Sequence, residues 1–378
     1  MAADNDLDPT SNLNAIAAAT SSTQVDVVVY CVRTSGTTMY RAAGGTLTTI
    51  GTGPVVNTGS AQTLTNVIKW AANLGPYTNL AMILWSHGNG VLDTDAKKLP
   101  SVLPESAHSD LFDSSLTTAD IRLGFVNAGV PVALIGFDAC YMGMVEMAYE
   151  LRDQAAAFVG SELSEPTSGW PYTQILSQLA ASPSMAALAL GETISDAYGS
   201  TYASTNQASG VSMATVALGA ASTAPLGAFT TAFQTFVAKA QAQMPDIAPQ
   251  MRAARAAATP SINGAYYEDL SVYLTAVSAA GLPGGVSTAA QAALGALPAA
   301  VVTADLEGAG AQQMKGLSIF YAPGVTPPSS YGDLLFSKDT GWATLLAAIA
   351  AAPAGASKAG GGPPPPGGPS PTGGGPKA

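Results

Sequence analysis

The chain has 378 residues, 47% of them hydrophobic and only 10% charged, enough to bury the core of one large domain or two ordinary ones. Its 14 basic and 25 acidic residues give a net charge of −11, which argues against a nucleic-acid backbone as partner and suits basic ligands. Two cysteines and two histidines leave no disulfide framework and no paired-cysteine zinc spacing, and no apolar run reaches the ~18 residues of a membrane span.

In chain order, residues 1–22 read as a polar, disordered leader without the basic start and apolar core of an export signal. "QVDVVVYCV" (24–32) is a β-branched run and predicts a buried strand. "TTMYRAAGGTLTTIG" (37–51) places Gly-Gly between two strand-like pieces and predicts a hairpin. Leu64, Val67, Ile68, Ala71 and Ala72 recur at helical spacing within 60–75, with Gly75 as a stop. The strand 79–85 then runs into His-Gly-Asn-Gly.

A polar loop (86–116) leads to a helix at 117–129, a strand at 132–137, a helix at 141–151 and a short strand near 156–161. The loop 162–170 precedes a helix from about Pro171. Strands alternating with helices predict crossover units, hence an α/β fold with a mainly parallel central sheet flanked by helices. Residues 183–300 are Ala-rich and helical, followed by a strand in 315–324 and a helix at 341–349. From 353 the chain is Pro/Gly low complexity and reads as a linker. The expected organisation is a core at 23–210, an Ala-rich α+β C-terminal half at 211–352 packed on or extending it, and a tail at 353–378.

Ligands of parallel sheets bind where the strands end, and two reactive side chains fall there. Cys140 ends one strand immediately before a predicted helix, whose first-turn amides would favour the thiolate. The plainer alternative is a small buried hydrophobe, the reading that suits Cys31 inside its strand. His87 ends another strand on the same edge, one crossover earlier, where an imidazole can take a thiol proton and return it to a leaving amine. Gly88 and Gly90 leave the backbone bare there, so the Gly88 amide is available to a developing oxyanion. Asp138 is either a helix cap or a carboxylate lining a pocket beside Cys140, for a Lys or Arg side chain. His108, in a polar loop, reads as a solvated side chain. No Gly-x-Ser-x-Gly elbow, phosphate-binding loop or His-Glu-x-x-His helix is present.

"LWSHGNG" and "IGFDACYMGMVEMAYEL" together resemble the two signature segments of the clostripain-like cysteine peptidases, relatives of caspases, gingipains and legumain. "SEPTSGWPY" (164–172), "YYEDL", "KGLSIFY" and "FSKDTGW" (336–342) extend the resemblance over about 24–350. It implies a caspase–haemoglobinase fold and cleavage after Lys or Arg, with no required cofactor, although calcium dependence occurs in the family. Carried over, His87 is the general base and Cys140 the nucleophile. Gly88 and the Cys140 amide form the oxyanion hole, and Asp138 belongs to the specificity pocket. Family pockets often add a second acid after the next strand; Glu162 and Glu165 are available, whereas Thr167 and Ser168 at that position carry no carboxylate. Glu162, Glu165 and Ser168 complete the expected substrate-binding set.

Self-cleavage in the loop after the histidine strand also occurs in the family, and Lys97 and Lys98 in "DTDAKKLPS" (93–101) are the candidate site, or else a solvated basic turn. The acidic loop "HSDLFDSS" (108–115) has no EF-hand pattern and is a weak calcium candidate. The expected partner is a protein or peptide with a basic residue before the scissile bond, not a nucleic acid, and a monomer is expected. The rivals are a silent or latent caspase-like module that binds basic peptides, and a zymogen awaiting another protease. Family habit and the Pro/Gly tail favour export or surface attachment; the N-terminus alone reads as cytoplasmic.

Overall fold

The computed structural model describes residues 1–5, 7–19, 24–91, 108–109, 114–203, 210–258, 261–308 and 311–353. At its centre lies a five-stranded sheet in the order Val301–Glu307, Val211–Ala217, Ala157–Gly160, Leu134–Asp138, Ala81–Trp85. The last three run parallel, as the alternation of strands and helices predicts. Val211–Ala217 is antiparallel to both its neighbours, so parallel pairing is confined to half the sheet. Two helices, Tyr172–Ala181 and Ala187–Tyr202, precede Val211–Ala217 instead of one, and the chain therefore re-enters the sheet from the opposite end. Every residue of Leu134–Asp138 is buried, as expected of a parallel strand covered on both faces.

One helix and one hairpin show how local sequence sets the limits of an element. Thr117 and Asp120 form a reciprocal capping box that starts Thr118–Ala128, and Gly129 ends it at φ 62°. The predicted hairpin is also present: Gly36–Ala43 pairs antiparallel with Thr46–Gly53 across Gly44 and Gly45, both at positive φ. Its partner is Val27–Arg33, which thus belongs to a four-stranded sheet of its own rather than to the central one.

The leader corrects the sequence reading. Thr10–Ala19 is a helix that buries Leu13, Ile16 and Ala19 and packs on Tyr172–Ala181, while Ala2–Ala3 runs parallel to Val32–Arg33. The apolar stripe is only three residues wide and sits among Thr, Ser and Asn, so composition hides an amphipathic helix that tertiary contact completes.

The C-terminal half is tied to the strand ends of the central sheet. Ser318–Phe320 pairs with Tyr267–Asp269, and the Ser318 amide donates to the Gly143 carbonyl (2.9 Å). Buried carboxyls complete the seam. Glu146 accepts from the Phe320 amide (2.8 Å) and the Tyr331 hydroxyl (2.7 Å). Glu150 accepts from the Leu335 and Phe336 amides and pairs with Arg122 (3.0 Å).

Burial pushes the Glu146 carboxyl from 4.5 to about 7, against the two hydrogen bonds it accepts. A carboxyl whose folded pKa is raised stabilises the fold fully below its unfolded pKa, and that contribution is lost as pH rises through the folded value. Between pH 4.5 and about 7, Glu146 is therefore expected to withdraw on the order of 3 kcal/mol of stability. Denaturant unfolding of wild type and Glu146→Gln at both ends of that window measures it: the variant should show the shallower pH dependence, and equal slopes would refute the assignment.

Candidate active site

The parallel register runs Ala81↔Leu134 through Trp85↔Asp138, and the Ser86 amide still donates to the Asp138 carbonyl (3.3 Å). Beyond that point the ladder stops. His87 and Cys140 each follow a paired residue by two positions, so the strands deliver them side by side at the same edge, both half-buried. Gly88 fixes how close the two tips come. A Cβ on Gly88 would strike the Cys140 carbonyl and lie 2.8 Å from the Cys140 nitrogen, so the two backbones touch where only glycine fits. Ser86 and His87 also line an apolar cavity with Leu64, Met82, Ile121 and Phe137.

The thiol's surroundings differ from the sequence expectation. The helix after Cys140 begins at Val145, not at 141, and Tyr141 at φ 60° turns the chain first. Residues 141–143 instead lie against the 161–163 segment, through Tyr141 N to Leu163 O (3.0 Å) and Gly143 N to Ser161 O (2.6 Å). The first turn of that helix therefore starts five residues beyond the sulfur. Burial pushes the Cys140 thiol up and the Asp138 charge adds to this, while the Glu165 amide, donating to Sγ at 3.2 Å, works the other way. A thiol held this way needs a neighbouring base to ionise near neutral pH.

Behind Cys140 lies an acidic pocket. Asp138 is 4% exposed and accepts from the Tyr172 hydroxyl (2.7 Å) and the Trp170 amide (3.3 Å). Gly169 backs it, at positive φ. The Glu165 side chain meets Asp138 from the opposite loop; Tyr202 donates to the Gly169 carbonyl (2.7 Å), and the charges of both acids act on Tyr202 and on Tyr198, one helical turn away. Burial lifts Asp138 to about 6 and pushes Glu165 well up, the latter helped by the charges of Asp138 and Cys140. Tyr172 was within reach of sequence reading because it closes the "SGWPY" segment; Tyr198 and Tyr202 gave no signal beyond helical spacing in an Ala-rich run.

The other predicted residues are placed as follows. Glu162 does not join this pocket: it is fully buried, accepts from the Gly316 amide (2.8 Å) and faces Asp269, whose carboxylate caps Leu270–Ala279. Ser168 is exposed, and its carbonyl accepts from Asn12 (3.0 Å). Lys97 and Lys98 lie outside the described residues, as does part of the acidic 108–115 loop. Among the described residues, no group of three or more His, Cys, Asp or Glu side chains is arranged to hold a metal ion. One anchor was invisible in the sequence: the Tyr267 hydroxyl donates to the Asn89 carbonyl and Asn263 to the Asn89 side chain (2.8 Å), pinning the segment after His87 from the C-terminal half.

This arrangement offers a thiol, an imidazole and bare backbone at one edge, with an acidic pocket at Asp138, two residues before the thiol. That is a set able to perform acyl transfer. The sequence pattern of the clostripain family (Peptidase_C11) matches residues 1–273. Solved structures share the fold. A secreted C11 cysteine protease from Bacteroides thetaiotaomicron, in complex with an irreversible peptide inhibitor, is 20% identical over 90% of this chain and 97% of its own, with a TM-score of 0.69. An inactive zymogen C11 protease from Parabacteroides distasonis is also 20% identical, over 90% of this chain and 95% of its own, with a TM-score of 0.66. No curated protein matches the chain.

Proposed function

The chain belongs to the clostripain family of cysteine peptidases, and from that premise we propose that it cleaves peptide bonds after lysine or arginine through a Cys140–His87 dyad. The observation that carries the dyad is the shared register of the two strand tips, pressed together at Gly88. In this reading His87 takes the Cys140 proton, and the thiolate attacks the scissile carbonyl. The Gly88 and Cys140 amides hold the oxyanion. His87 then protonates the leaving amine, and water attacks the thioester with His87 again as base. No metal or organic cofactor takes part.

Preference for a basic side chain is supported by the pocket of Asp138 and Glu165, two acids with no basic side chain among the groups that shift their titration. Replacing Asp138 with asparagine is expected to cost a lysyl peptide roughly 10²-fold in kcat/KM, about what an unpaired buried charge loses. A norleucyl peptide should change little. Steady-state kinetics on both peptides decides the matter, and equal losses would remove the specificity role of Asp138.

Self-processing at Lys97 or Lys98 follows from the same preference, since the two lysines come about a dozen residues after the histidine strand in sequence. Export is the reading for location, in keeping with the relative described as secreted. A latent state of the same enzyme is favoured by one observation: the Cys140 sulfur is engaged by the Glu165 backbone, through its amide at 3.2 Å and its carbonyl at 3.9 Å.

A further inference from the structure

We propose that Glu165 is the stopper of the Asp138 pocket, held there by one proton shared between the two carboxyl groups, and that a cationic substrate side chain enters by displacing that proton into solvent. The inference rests on the preference for basic residues proposed above and adds how that preference is gated.

The argument begins with hydrogen-bond bookkeeping. Both Glu165 carboxyl oxygens are buried and receive no hydrogen bond from a side-chain N–H, yet the group meets the Asp138 carboxyl. Two ionised carboxylates are both acceptors, and their contact in a buried site is repulsive. One proton between them turns the contact into a hydrogen bond. Asp138 is already served by Tyr172 and Trp170, which stabilise its charge, so the proton sits on the Glu165 side of the pair. The other groups facing the pair are the Cys140 thiol and the hydroxyls of Tyr172, Tyr198 and Tyr202. The Ala139 amide favours the Glu165 anion, and no basic side chain contributes. The raised titration of both acids agrees with a pair that keeps one proton near neutral pH.

A lysine ammonium or arginine guanidinium brings the positive charge that the proton supplied. Both carboxylates then ionise around it, and one proton passes to the buffer for each side chain bound. The movement reaches the thiol as well, because the residue whose side chain stops the pocket also donates its amide to Cys140 Sγ (3.2 Å). Occupying the pocket and releasing the sulfur are one displacement of Glu165, side chain and backbone together.

The test is isothermal titration calorimetry on the full chain carrying Cys140→Ala, which removes turnover and the thiol's own proton. A lysyl peptide and its norleucyl counterpart are titrated near pH 6 in buffers of different ionisation enthalpy. The lysyl peptide should release about one proton, and below the pair's titration its Kd should tighten by up to about tenfold for each unit that the pH rises. The norleucyl peptide should release none from the pair. Adding Glu165→Gln, whose amide donates to Asp138 without titrating, should abolish the release and flatten the Kd. A proton shed by His87 would persist in that variant, so equal release with and without Glu165 overturns the proposal. Lysyl binding without proton release in the Cys140→Ala chain overturns it without recourse to the second variant. Should the two peptides bind equally, the basic preference itself falls, a different failure from binding without release.

Discussion

Cys140→Ala is expected to lower cleavage of lysyl and arginyl peptides by at least ~10⁴-fold, with the fold intact. The loss of stability should be small, because the side chain is half-buried and its sulfur contacts are to one backbone segment. The size of the effect follows from the chemistry: without the sulfur no thioester forms, and the remaining oxyanion donors can only assist direct attack by water. A companion measurement separates an enzyme from a module that merely binds. Iodoacetamide should react fast at Cys140 and not at Cys31, which is 0% exposed inside its strand. His87→Ala should slow that reaction at neutral pH and carry its onset above the ordinary thiol range, since burial and Asp138 push the Cys140 thiol up and the base that offsets them is gone. Undiminished cleavage by the Cys140→Ala chain would reject the mechanism. Unchanged alkylation in His87→Ala would reject the dyad while sparing the nucleophile.

How far the sequence could lead is clearest at the two strand tips. "AMILW" and "LIGFD" are short apolar runs followed by small residues, so their endings, and hence the positions of His87 and Cys140, were readable from pattern alone. The hairpin turn at Gly44-Gly45 and the Thr117 cap were legible for the same reason: a few local residues determine them. What failed was whatever depends on distant chain. The start of the helix after Cys140 slipped to Val145 because residues 141–143 bond to 161–163 rather than to themselves. Burial of the thiol, with the Asp138 charge beside it, is what turns its titration upward instead of down. Glu162 and Glu165 were indistinguishable in sequence, three positions apart in one loop. Only the fold sends the first toward Gly316 and the second onto Asp138. The leader helix was missed because its three buried apolar residues count only once Tyr172–Ala181 is there to receive them.

Gly88→Ala is the second large effect, and it tests the contact on which the dyad depends. Alanine keeps the backbone amide, so a glycine needed only as an oxyanion donor would tolerate it. The structure demands more. The added Cβ would overlap the Cys140 carbonyl and approach the Cys140 nitrogen to 2.8 Å and the Ala139 carbonyl carbon to 3.0 Å, all backbone atoms that cannot rotate away. The two strand tips must therefore part, moving the His87 segment away from Cys140. The expected loss is ~10²–10³-fold in kcat, the size seen when one oxyanion donor is displaced, with further loss if the imidazole also leaves reach of the sulfur. Alkylation kinetics tell the two apart, because reaction with iodoacetamide needs the base but no oxyanion hole. If only the hole is distorted, kcat falls and Cys140 still alkylates at the wild-type rate. If the tips separate, both fall together, as the backbone overlap requires. Wild-type kcat in Gly88→Ala would mean that the strands do not press their ends together, and the proximity of thiol and imidazole would lose its support.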